Sequence, residues 1–370
     1  MRGMCVWVVA LLAAFPAVAS AWHQLPPGIQ GYRAAGLDAI RGVTIGPIES
    51  SQWPGRGYGS EASEVLLDEL VRLGVTWVSV TPFGRIWSLA STTIQLDFEA
   101  PYPDNRRALL RMVQQAHERG IKVLLIPHLW VETSGWRGEI EPGSEQGWVS
   151  YQRSYRAFVL SWAQLAAEAG VDAFSIGVEC KSWSSRFGGY WRSLIGDVRA
   201  RFDGLLTYSA NWDEVEGVVF WDALDLIGVN AFYPLATHGR ASYAEYVAGA
   251  IRARDAIGAV ARSLDMPVVF VEVGYTTRAD AAVEPWLWPD DMTQVVIDEH
   301  EQARALSALF EAFLPEPWFA GFFVWRYYAS LDDISQEDAW GFSPHGKPAE
   351  QVLDFVFHQR WGGDPDGPKF

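Results

Sequence analysis

The sequence predicts an α/β fold: a single-domain (β/α)8, or TIM, barrel. Three observations predict it. Short apolar runs rich in Val, Ile and Phe alternate with helical patterns along the chain. The runs number eight. The same punctuation, a glycine followed by an apolar residue, closes three of the early helical stretches. Alternating strands and helices imply βαβ units and a parallel sheet, and eight units close into a barrel.

The runs are Gly42–Pro47, Trp77–Pro82, Lys122–His128, Ala173–Glu179, Leu205–Asn211, Leu226–Asn230, Pro267–Glu272 and Gly321–Trp325. They are almost continuously apolar, as strands covered on their outer side by helices must be. Helices are expected over 60–73, where Leu66, Leu67, Leu70 and Leu73 share a face, then over 104–119 and 151–169. Gly74-Val75, Gly120-Ile121 and Gly170-Val171 end these three, because glycine accepts the left-handed conformation of a helix stop. Further helices are expected over 243–264, 299–313 and 348–355, with a short link between strands five and six. An open doubly wound sheet is the alternative. It would carry a glycine-rich phosphate turn after strand one, where Gly46-Pro47-Ile48-Glu49 stands instead.

Residues 1–21 read as an export signal: Arg2, an apolar run from Val6 to Val18, and a small-residue stop at Ala19-Ser20-Ala21. The competing reading is a retained anchor, for which the run is short. Cleavage near Ala21 would leave a secreted or periplasmic chain, with the barrel over 22–360 and a disordered Gly/Pro/Asp tail over 361–370. Cys5 would leave with the signal, and Cys180 then reads as a small buried filler. The formal charge is −16, and only Lys122, Lys181, Lys347 and Lys369 are lysines. That balance disfavours nucleic acid and strongly anionic polysaccharide as partners. The 19 tryptophans suit the flat faces of sugar rings, although packing between long loops accounts for any single one equally well.

In this fold the active site lies at the C-terminal ends of the strands. The residues expected there include His128 and Trp130, Glu179, Asn211 and Trp212, Asn230 and Tyr233, Glu272 and Tyr275, and Trp325, with Trp53 on the first loop. This set of carboxylates, amides and aromatics suits a neutral sugar. It lacks a serine elbow, a dinucleotide turn and a histidine cluster. A metal held by His128, Glu179 and Glu272 would lack the usual His-x-His or His-Glu-x-x-His spacing, so no metal or cofactor is expected. Glu179 and Glu272 each end a strongly apolar strand, where a charge is costly unless it faces a polar cavity. Glycoside cleavage needs two such carboxyl groups.

The ordered pieces Phe174-Ser175-Ile176-Gly177-Val178-Glu179, Ser209-Ala210-Asn211-Trp212, Ile227-Gly228-Val229-Asn230-Ala231-Phe232-Tyr233-Pro234, Val271-Glu272-Val273-Gly274-Tyr275 and Gly341-Phe342-Ser343-Pro344-His345-Gly346-Lys347-Pro348-Ala349 resemble glycoside hydrolase family 113, a β-mannanase family of the retaining barrel clan A. The resemblance runs from about Gly42 to Phe355. It implies hydrolysis of β-1,4-linked mannan or a related β-glycan, with Glu179 as acid/base and Glu272 as nucleophile. One departure stands out. Val178 occupies the place where many clan members put an asparagine that holds the sugar 2-hydroxyl, which leaves that task to Asn211 or Asn230. Tyr233 is a candidate to hydrogen-bond a glutamate, and Trp325 a candidate floor beneath the cleaved sugar. The alternatives are another β-glycan such as β-glucan, transglycosylation, and a glycan-binding barrel that no longer cuts.

Overall fold

The computed structural model describes residues 30–46, 55–287, 295–330 and 340–359. A short helix α1 (Tyr32–Ala35) precedes β1 (Ile40–Gly46). There follow α2 (Glu61–Arg72), β2 (Trp77–Val80), β3 (Phe83–Ile86), α3 (Tyr102–Glu118), β4 (Lys122–Leu125), β5 (His128–Val131) and α4 (Glu145–Ala169). The second half holds β6 (Ala173–Val178), α5 (Lys181–Ser184), α6 (Gly188–Arg199), β7 (Leu205–Asn211), β8 (Ile227–Asn230), α7 (Tyr243–Leu264), β9 (Val268–Val273), α8 (Glu299–Phe313), β10 (Phe319–Tyr328) and α9 (Pro348–His358). Strands β1, β2, β4, β6, β7, β8, β9 and β10 form a closed parallel barrel in that order, β10 pairing back onto β1. The fold is therefore the expected (β/α)8 barrel.

The glycine stops are in place. Gly74, Gly120 and Gly170 all have positive φ, and Gly170 caps α4 in the left-handed conformation. Helix α4 begins at Glu145, six residues before the expected start. Its cap is Ser144, whose side chain accepts from the Gly147 N–H, and the glycine in the first turn hides the start from a propensity reading. Between β7 and β8 the chain makes two single 3-10 turns, Val215–Gly217 and Trp221–Ala223, in place of an α-helix.

Alternation along the strands splits the core. Ile40, Trp77, Leu124, Ala173, Val269, Val271 and Phe323 belong to one buried cluster. Val43, Val78, Phe174, Ile176, Phe270 and Val273 belong to another that includes the inner faces of the helices. Two strands break the alternation near their ends. Along β9, Val269 and Val271 pack with the first cluster and Phe270 and Val273 with the second. The register against β8 slips here, with Val229 opposite Phe270 but Asn230 opposite Glu272. Along β6, Ser175 and Val178 face Thr207 and Ser209, again one residue too many. A bulge re-aims the side chain that follows it, and each slip lies immediately before a glutamate. No helix of the described residues is long and apolar enough to cross a membrane.

Candidate active site

Glu179 follows the last residue of β6 with φ of 48°, a left-handed conformation that is uncommon for a side chain this large. Several bonds hold it there. Its own N–H donates to Ser209 O at 2.8 Å. The next N–H, of Cys180, donates to Tyr208 Oη at 2.6 Å, and that hydroxyl donates to Glu214 Oε1 at 2.5 Å. The other Glu214 oxygen accepts from the Asn211 N–H at 3.0 Å. Burial pushes the Glu214 carboxyl up to about 7. Cys180 is buried, and burial pushes its thiol up to about 12.

The Glu179 carboxyl accepts three N–H bonds. Trp136 Nε1 donates to Oε2 at 2.8 Å and Arg137 Nη1 to the same oxygen at 3.1 Å, while Asn230 Nδ2 donates to Oε1 at 3.0 Å. Trp136 and Arg137 come from the loop after β5, and Arg137 is braced by its Nε bond to Leu129 O.

Glu272 sits opposite Asn230 in the β8–β9 ladder and is 4% exposed. Its Oε1 lies 3.1 Å from His128 Nε2, yet the two are not aligned for a hydrogen bond, and neither atom has such a partner among the described residues. Burial pushes the Glu272 carboxyl up to about 8, against the pull of Arg137 and Arg326. Burial also pushes His128 well below its ordinary value, and the same two arginines add to that fall. His128 is therefore neutral near pH 7. Its ring stacks on Trp325 at 6.1 Å and tilts against Phe83 at 5.1 Å. Both His128 ring nitrogens, Asn230 Oδ1 and Glu272 Oε1 are buried without hydrogen-bond partners among the described residues. Such atoms are costly unless an incoming polar ligand satisfies them.

The other sequence candidates divide. Trp53 lies outside the described residues. Trp130 is half-exposed beside Phe83. Trp212 stacks on Trp286 at 5.7 Å and meets Tyr233 edge-on. Trp325 is buried, with the Arg326 guanidinium 4.9 Å from its ring centre. Asn211 turns its amide to Asp213, so Asn230 is the asparagine that meets a glutamate. Two expectations need correction. The Tyr233 hydroxyl bonds neither glutamate: its ring packs among Phe270 and Phe313, and its oxygen has no partner among the described residues. Tyr275 is fully buried, and its hydroxyl donates to Tyr233 O, which braces the loop. Arg137, Tyr208 and Glu214 escaped the sequence reading, and Trp136 entered it only as one of the tryptophans suited to sugar faces. Their signal was a Trp-Arg pair on a loop at the catalytic end and a glutamate three residues after a strand. Among the described residues no three His, Cys, Asp or Glu side chains group as metal ligands would.

The family model for Glycoside Hydrolase Family 113 matches residues 52–347. The chain belongs to this family. A solved complex of a GH113 β-1,4-mannanase is 27% identical, covers 87% of this chain and 99% of its own, and superposes with a TM-score of 0.75. The GH113 β-mannanase of Alicyclobacillus acidocaldarius, solved with ManMIm, is 28% identical over 86% of this chain and 97% of its own, also at 0.75. An exo-β-1,4-mannosidase from Opitutaceae bacterium strain TAV5 shares the fold, at 13% identity over 85% of this chain and 58% of its own, with a TM-score of 0.55. No curated protein matches the chain. The family 113 chain is thus a glycoside hydrolase.

Proposed function

We propose that this family 113 enzyme hydrolyses β-1,4-linked mannan, or a closely related neutral β-glycan, with retention of configuration. The observation that carries the reading is that Glu179 and Glu272 share two neighbours at one end of the barrel. Asn230 bonds the first and lies opposite the second in the ladder, and Arg137 bonds the first and acts electrostatically on the second. The substrate class rests on the solved relatives, which are named as β-mannanases.

Glu272, ionised, attacks the anomeric carbon from below the ring. Glu179 gives its proton to the glycosidic oxygen, the bond to the leaving sugar breaks, and an ester to Glu272 forms. Water then attacks the same carbon, Glu179 takes its proton, and the Glu272 carboxylate leaves. The working pair carries one proton. Burial keeps a proton on Glu272 in the free enzyme up to about pH 8, so turnover draws on the form in which that proton sits on Glu179 instead. Sugar hydroxyls fit the orphaned atoms of His128 and Asn230. Residues 1–21, outside the described residues, act as an export signal in this reading, and the substrate is met outside the cytoplasm.

A reducing-end assay on mannan, glucomannan, cellulose and xylan tests the substrate. Ends released from mannan with the β-anomer formed first are expected. Release from cellulose or xylan but not mannan refutes the mannan assignment. Binding without any release points to a barrel that holds glycan and no longer cuts.

A further inference from the structure

Barrel strands two and three continue beyond the barrel. Pro82 and Pro127 interrupt them, and they restart as β3 and β5, a parallel pair with Phe83 opposite His128 and Arg85 opposite Trp130. The bonding runs on, with the Glu132 and Thr133 N–H groups donating to Ile86 O and Trp87 O. The outer edge of β3 is occupied by an antiparallel bridge from Arg85 to Gln95. The pair also has two faces, one of them open.

Alternation decides which face. Gly84, Ile86 and Leu129 point inward, and a Cβ on Gly84 would lie 2.5 Å from the Phe158 ring. The opposite face carries Phe83, Arg85 and Trp87 beside His128, Trp130 and Glu132. Exposure grows along it. His128 is buried against Glu272, Trp130 is 48% exposed and Trp87 is 70% exposed. At ~3.3 Å per residue the face extends about 13 Å from His128 to Glu132. Trp130 is braced edge-on by Phe83 at 6.4 Å and by the tilted ring of Phe98 at 6.2 Å, with Phe83 and Phe98 stacked at 5.0 Å. The Arg85–Glu132 ion pair, 2.5 Å between Nε and Oε1, adds charged hydroxyl-binding groups beside the indole.

We propose that this face is a binding platform for the substrate chain beyond the cleaved bond, with Trp130 under one sugar ring and Trp87 under a further one. The proposal rests on the mannanase reading. Its occupant is a continuing β-1,4-linked mannan chain, because the face is continuous with the Glu272 pocket through His128. Indole faces stack on the C–H faces of the rings, while Arg85 and Glu132 meet the hydroxyls at their rims. The enzyme therefore prefers long chains to short ones.

The test compares kcat/KM on mannohexaose with kcat/KM on an aryl β-mannoside for wild type, Trp87→Ala and Trp130→Ala. The ratio of the two should fall about tenfold for each variant, a loss typical of one aromatic contact. Trp87 is exposed enough for its removal to spare folding, so its variant keeps the test valid if Trp130→Ala unfolds. An unchanged ratio in Trp87→Ala overturns the platform. So does a wild-type dimer that Trp87→Ala converts to monomer with the ratio intact, since the face would then be an interface. Wild type inactive on every mannan removes the mannanase reading and this proposal with it. Wild type active with an unchanged ratio removes only the platform.

Discussion

At the end of β6, Glu179 accepts three N–H bonds and is locked in a left-handed turn. At the end of β9, Glu272 is likewise buried, but its Oε1 has no hydrogen bond among the described residues and its close neighbour is a neutral histidine. Both follow a slip in strand register. The same residue type at matching barrel positions has thus been given opposite surroundings, one rich in donors and one dry. Left to these surroundings the resting pair keeps its proton on Glu272, whereas turnover needs that proton on Glu179.

The largest expected effect is on turnover. Glu272→Gln should lower kcat on mannan by roughly 10⁴-fold or more, and Glu179→Gln by about 10²–10⁴-fold. Near-wild-type activity in either variant removes that residue from the chemistry.

The same substitutions should move stability in opposite directions. The native chain holds the Glu272 proton up to about pH 8, while the unfolded chain releases it near 4.5. Stability therefore falls as pH rises between these values and levels off above 8. Glu272→Gln has no charge to bury and should be about 1–3 kcal/mol more stable than wild type at pH 9, a gain that vanishes by pH 4.5. Glu179→Gln replaces one accepting oxygen by an NH2 that faces other donors, and should cost about 1–3 kcal/mol. Chemical denaturation at both pH values reads this. Equal signs at pH 9 break the comparison.

A smaller effect separates the donors. Trp136 bonds Glu179 alone, whereas Arg137 also draws the Glu272 carboxyl down. The alkaline limb of kcat/KM should lie near pH 8, where the pair loses the proton held by Glu272. Arg137→Met should move that limb upward, and Trp136→Phe should lower kcat/KM about tenfold without moving it. A limb that shifts with Trp136 and stays with Arg137 contradicts the account.

The barrel was legible because its strands are nearly unbroken Val, Ile and Phe runs between glycine-stopped helices. Glu179 and Glu272 were legible because a charge at the end of such a run needs a polar cavity. The slips that aim them were not, since a one-residue bulge leaves no mark on an apolar run. The contacts of Trp136 and Arg137 with Glu179 were hidden because they span 43 and 42 residues of chain and exist only once strands three and four are neighbours. Tyr233 and Tyr275 looked like site residues by position, but their rings are needed for packing.

The roles of the two glutamates form the central claim, and the stereochemistry of azide rescue tests it most directly. Glu179→Ala should still form the glycosyl-enzyme from an aryl β-mannoside with a good leaving group, then stall for want of a base. Azide needs no base and should release the β-mannosyl azide. In Glu272→Ala no ester forms, and azide entering from the opposite face should give the α-azide. An α-azide from the Glu179 variant together with a β-azide from the Glu272 variant, read by NMR, would contradict the assignment.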